Sequence, residues 1–171
     1  MMNILPVNTS LGKLRIFEIY EFYNMPVLFA AKNQADHIYL AVWIDETEQE
    51  DTWLYVSVSP QRFAKVRAGQ VDLHDAFAKT EDGIAFKVTI PKVQSRDAQV
   101  DSLLIGVMDT SWPPLPGDYL DIPQSLPRVL WDNVDQREPV STDYLTYVTP
   151  EPWYLQLGIR SLSMPQLLPS T

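Results

Sequence analysis

Ile38-Tyr39-Leu40-Ala41-Val42-Trp43-Ile44, then Asp45-Glu46-Thr47-Glu48-Gln49-Glu50-Asp51, then Thr52-Trp53-Leu54-Tyr55-Val56-Ser57-Val58, is the stretch that decides the fold class. Before the acidic run, Ile38, Leu40, Val42 and Ile44 alternate with Tyr39, Ala41 and Trp43. After it, Leu54, Val56 and Val58 alternate with Trp53, Tyr55 and Ser57. Alternation of period two, carried by β-branched and aromatic residues, marks half-buried antiparallel strands. The run Asp45 to Asp51 holds five carboxylates, too many for a core, so it is expected as a solvated connection.

Upstream, Val27 to Lys32 supplies a further strand, and Asn33-Gln34-Ala35-Asp36 turns the chain into Ile38. A lone hairpin is marginal in water, so this additional strand makes the sheet viable. Leu14 to Tyr23 carries two patterns at once: Ile16, Ile19, Tyr20 and Tyr23 suit a helix, whereas Phe17, Ile19 and the aromatic content suit a strand. Extended structure is favoured here, ending at Asn24-Met25-Pro26, because a residue before proline is pushed out of the α region.

Downstream, two short helices are expected. Ser59 is an N-cap with Pro60 at the first helical position; Phe63 and Val66 mark the buried side, and Gly69 stops the helix. Asp72 starts the second, with Asp75 three residues on, and Leu73, Ala76 and Phe77 form its apolar stripe. Asp82-Gly83 then turns the chain into Ile84, Phe86, Val88 and Ile90, another alternating strand. Val100 to Met108 is expected as a final buried strand.

From Asp109 prolines cluster, beginning with Trp112-Pro113-Pro114-Leu115-Pro116. Proline removes ladder donors and breaks helix interiors, so this third is expected to be extended. Its aromatics, among them Trp131, Tyr144, Tyr147, Trp153 and Tyr154, are too many for a free linker. The chain therefore divides into an α+β core over 1–108 and a proline-rich, aromatic-containing extension over 109–171 that wraps back on it. The core is read as an antiparallel sheet of about five strands with two short helices on one face.

Composition narrows the function. In 171 residues there is no cysteine, which removes thiolate catalysis and sulfur-ligated zinc. The formal charge of −9 argues against direct contact with nucleic-acid phosphates and favours basic protein partners. The N-terminal residues lack the basic and apolar regions of a signal peptide, and no apolar run nears the length of a membrane span. A cytoplasmic protein with no membrane partner is expected.

Candidate chemistry is sparse. The acidic loop lacks the sharp-turn glycine of a calcium loop, so no metal is assigned to it. His37 and His74 follow no metal or triad spacing, and no G-x-S-x-G elbow is present. Glu81, Asp82 and Lys87 flank one strand as nuclease residues do, without a converging third acid. With only 6 glycines and no phosphate-cradling loop, nucleotide binding is disfavoured and no cofactor is expected. Trp112 with its prolines is either a polyproline segment offered to a partner or, more commonly for a large aromatic, a side chain laid on its own domain.

Several blocks occur together: Tyr20-Glu21-Phe22-Tyr23 with Pro26, then Trp53-Leu54-Tyr55-Val56-Ser57-Val58-Ser59, then Leu73 with Ala76-Phe77. The combination resembles a family of small bacterial domains of unknown function, with Ser57 standing where a proline is usual. The resemblance spans roughly Leu14 to Met108 and implies one compact domain, with no activity or catalytic residue attached.

The functional expectation is a non-catalytic protein-interaction module, an accessory or regulatory subunit. Its contact residues are expected among Asp45, Glu46, Glu48, Glu50, Asp51 and Trp112. Two alternatives stand beside it: an acidic inhibitor that mimics nucleic acid toward a basic enzyme or toxin, and a metal-dependent hydrolase.

Overall fold

The two alternating stretches pair as expected in the computed structural model, which describes residues 4–93 and 96–122. Strand β3 (Ile38–Glu46) runs antiparallel to β4 (Glu50–Val58), with Ile38 opposite Val58 and Trp43 opposite Trp53. On the other side of β3 lie β2 (Pro26–Lys32) and then β1 (Arg15–Phe22). Beyond β4 come β5 (Ile84–Pro91) and β6 (Gln99–Leu104). Among the described residues the sheet thus has six strands in the order β1-β2-β3-β4-β5-β6, all antiparallel, where about five were expected.

The ambiguity at Leu14 to Tyr23 has a structural cause. Pairing of β1 with β2 shifts register between Ile16 and Glu18, again between Ile19 and Glu21, and again between Glu21 and Phe22. An irregularity of this kind breaks the two-residue alternation and bends the strand. Ile16 and Ile19 therefore share one face while Phe17 and Tyr20 share the other. A spacing of three within a bulged strand imitates one turn of helix.

Each face of the sheet carries its own core. One face holds Phe29, Ala41, Trp53, Tyr55 and Val88, and the N-terminal segment adds Ile4, Leu5, Leu11 and Leu14 to this layer. Phe29 meets Tyr55 edge-on, with centroids 5.9 Å apart. Asn33 ties the segment down: its Nδ2 donates to the Leu11 carbonyl, while its Oδ1 accepts the backbone N–H groups of Ala35 and His37. The opposite face holds Leu40, Leu54, Val56 and Ala85 and is covered by the helices.

Both helices start as expected, and the first also stops as expected. Helix α1 (Pro60–Arg67) is capped by the Ser59 hydroxyl, which accepts from the Arg62 N–H. Ser59 in turn donates its N–H and its hydroxyl to the Glu81 carboxylate, each at 2.7 Å. Gly69 follows the helix at φ +69°, the left-handed conformation that glycine adopts without strain. Helix α2 (Leu73–Ala78) is capped by Asp72. Only half of a capping box forms there, because the Asp75 carboxylate turns to Lys79 instead of back to the cap. Phe63 and Val66 of α1, with Leu73, Ala76 and Phe77 of α2, are the residues that bury.

The chain after β5 departs from expectation. Val100 to Met108 is not one buried strand: β6 is a half-exposed edge, a 3₁₀ turn covers Ile105–Val107, and only Met108 is buried. The edge position explains this, since an outermost strand has a neighbour on one side alone. Residues 109–122 return across the helix-bearing face, where Trp112, Leu120 and Ile122 join the core. The remainder of the expected wrap, including Trp131 and Trp153, lies outside the described residues.

Candidate functional site

The return of residues 109–122 builds a wall beside α2. Three contacts hold it: the His74 Nδ1–H donates to the Pro114 carbonyl at 2.9 Å, the Gly117 N–H to the Asp72 carboxylate at 3.0 Å, and the Leu73 N–H to the Asp118 carbonyl at 2.7 Å. Asp72 thus accepts the backbone N–H groups of both Asp75 and Gly117, and these bonds hold its carboxyl below the ordinary carboxylate range.

Between this wall and strands β1–β3 runs an open groove of about 530 Å³. Tyr20, Leu28, Val42 and Leu73 form its floor side, and Trp112 to Leu115 with Tyr119 form the wall. Tyr20 is fixed in place, because its hydroxyl donates to Glu18, which is itself paired with Arg67 at 2.7 Å. Burial and the Glu18 charge push the Tyr20 phenol upward, so it stays neutral. Leu115 and Tyr119 are 73% and 55% exposed, two large apolar side chains on one rim. The charged groups of the lining are Glu21, Asp118 and Asp121, with no lysine, arginine or histidine among them.

The residues singled out in the sequence fall in two places. Trp112 lies on the groove, partly buried against its own domain, with Lys87 Nζ 5.6 Å from its ring centroid. The acidic run forms the β3–β4 hairpin, but it is not the wholly solvated loop expected. Asp45 and Glu46 belong to β3 and Glu50 and Asp51 to β4, which leaves a turn at Thr47, Glu48 and Gln49. The Thr47 hydroxyl closes that turn by accepting the Glu50 N–H.

Asp51 is 1% exposed, against the expectation that it lies in water. Strand alternation explains it: Asp51, Trp53 and Tyr55 point to one face, where Trp43 also packs. Lys92 offsets the carboxylate from 3.7 Å while bonding Glu46 more closely. Burial pushes the Asp51 carboxyl above its ordinary value; Lys92 pulls it back without cancelling the rise, and Glu46 adds to it. The folded protein therefore holds this proton more tightly than the unfolded chain does. Stability from this group is present at low pH and is lost as pH climbs through the interval between the unfolded and folded values. Asp51→Asn should abolish that loss, so urea midpoints from about pH 4 to about pH 8 should show the variant gaining on wild type as pH rises. A variant that instead falls further behind wild type as pH rises would mean that the Lys92 pair outweighs desolvation.

The remaining candidates do not converge. Glu81 caps Ser59, Asp82 accepts the Ile84 N–H at 3.0 Å, and Lys87 lies opposite Asp101 on β6. His37 is exposed before β3, while His74 belongs to α2. Among the described residues no group of three or more histidines or acids is placed to hold a metal ion, and no helix is long and apolar enough to cross a membrane.

Tyr20, Glu21, Asp118, Tyr119 and Asp121 were not anticipated as neighbours. They come from β1 and from a loop about a hundred residues later, brought together by the contacts of that loop with α2 and with the core of the same face. The available cue was Asp72, a cap residue whose second oxygen is free to take a distant N–H.

No curated protein and no solved structure matches the chain. A model of a family of unknown function, DUF6575, matches residues 2–159, in keeping with the resemblance carried by the tyrosine, tryptophan and helix blocks, and the chain belongs to that family.

Proposed function

We propose that the protein is a non-catalytic interaction module, an accessory or regulatory subunit of a bacterial cytoplasm, and that the groove beside α2 is its contact surface. The observation that carries this reading is a groove bordered by Tyr20 and Trp112 with two exposed large side chains, Leu115 and Tyr119, on one rim. Tyrosine and tryptophan offer large contact area at low entropic cost, and such anchors dominate binding energy at protein interfaces. The wall is held by three hydrogen bonds to α2, so its ordering is complete before a partner arrives.

The acidic hairpin supports the nucleic-acid-mimic alternative less well. Asp51 is buried and Glu46 is bonded to Lys92, so the charge offered to a basic enzyme is smaller than the sequence implies.

A photo-crosslinking residue at position 115, introduced in the native cell, should yield one discrete protein adduct. The same residue at exposed Val93, outside the groove lining, should not. Absence of an adduct from position 115, or identical adducts from both positions, would overturn the assignment.

A further inference from the structure

We infer that the groove takes an arginine-bearing extended segment of its protein partner, an inference that rests on the interaction reading above. Charge gives the first argument. All three ionisable carboxyl side chains of the lining, Glu21, Asp118 and Asp121, are exposed, and no cationic side chain of the chain itself lies among the lining residues. An anionic ligand would meet repulsion from these carboxylates, whereas a cation meets attraction.

Ring chemistry gives the second. Tyr20, Trp112 and Tyr119 all border the groove, and aromatic faces attract cations through their quadrupoles. Trp112 already does so for Lys87, whose Nζ lies 5.6 Å from the ring centroid and which does not line the groove. Carboxylates set beside the exposed Tyr119 ring match a guanidinium better than an ammonium. The planar group stacks on a ring and bonds a carboxylate through a fork of N–H donors, and its apolar stem covers exposed apolar surface such as Leu115.

Size gives the third. A groove of about 530 Å³ accommodates a few side chains rather than a domain. It is partly open to solvent, and its wall is pinned at Pro114, Gly117 and Asp118, so an extended segment can enter it without displacing the wall.

The test is an amide NMR titration of the full chain with three homopolymeric tetrapeptides, of arginine, of lysine and of glutamate, each acetylated at its N-terminus and amidated at its C-terminus. The arginine peptide should shift amides around Tyr20, Glu21, Leu73 and Tyr119, more strongly than the lysine peptide, and the glutamate peptide should leave them unmoved. Asp118→Asn with Asp121→Asn changes exposed carboxylates only and should weaken the arginine response about three- to ten-fold, with further weakening as salt is raised. Equal responses to the arginine and glutamate peptides, or arginine shifts confined to Asp45, Glu46 and Glu48, would overturn the inference. A crosslinked partner at position 115 without an arginine response would reject the cationic segment and leave the interaction module standing. Failure of both would reject both.

Discussion

Replacing Trp53 by alanine should lower the folding stability by about 3–5 kcal/mol, among the largest effects any single change can have here. Trp53 is fully buried on β4, opposite Trp43 on one neighbouring strand and Val88 on the other. Truncation removes an indole from the middle of a six-stranded sheet whose neighbours cannot close in without disturbing the ladders. A whole domain is stable by only about 5–15 kcal/mol, so this loss takes a large share. Trp53→Phe should cost far less, because it keeps most of the ring and removes an indole N–H that has no hydrogen-bond partner among the described residues. Urea denaturation followed by far-ultraviolet circular dichroism would read both variants. An alanine variant within about 1 kcal/mol of wild type would mean that this face is not a sealed core.

Phe77→Ala should cost about 3 kcal/mol or more, and it should also dismantle the groove. Helix α2 has six residues, too few to persist in water without tertiary contacts. Leu73, Ala76 and Phe77 are its buried contacts, and Phe77 is the largest of them. The same helix holds Pro114, Gly117 and Asp118 through His74, Asp72 and Leu73. Loosening the helix therefore releases the wall. Hydrogen exchange should show the Leu73 and Gly117 amides losing protection well before those of Leu40 and Leu54 at the centre of the sheet. Unchanged protection at Leu73 and Gly117 would separate the helix from the wall and remove the structural basis of the proposed contact surface.

The regular strands and both helices were legible in the residues because each obeys a local rule. Alternation in β3, β4 and β5 is set by the pleat, and the caps at Ser59 and Asp72 are set by orphan N–H groups that need an acceptor. The misreadings share a cause of the opposite kind. Burial of Asp51 follows from what packs across the strand from it, and exposure of Val107 follows from its place after an edge strand that has no further strand beside it among the described residues. The shifted pairing of β1 placed Ile16 and Ile19 together in a way no fixed period describes. The groove was hidden for the same reason, since Tyr20 and Tyr119 meet only after the later loop has packed on α2 and on the core of the same face.

The strand order has one more implication. Among the described residues every strand pairs with the strand next to it in the chain, so none of these pairings must wait for a segment made much later. Low separation between partners lowers the loop-closure entropy of each pairing and favours rapid assembly. A nascent chain leaving the ribosome can zip one hairpin onto the previous one, with the helical excursion between β4 and β5 as its longest pause. Among the described elements the wall beside α2 is made last, after all six strands, so competence to bind would follow completion of the sheet.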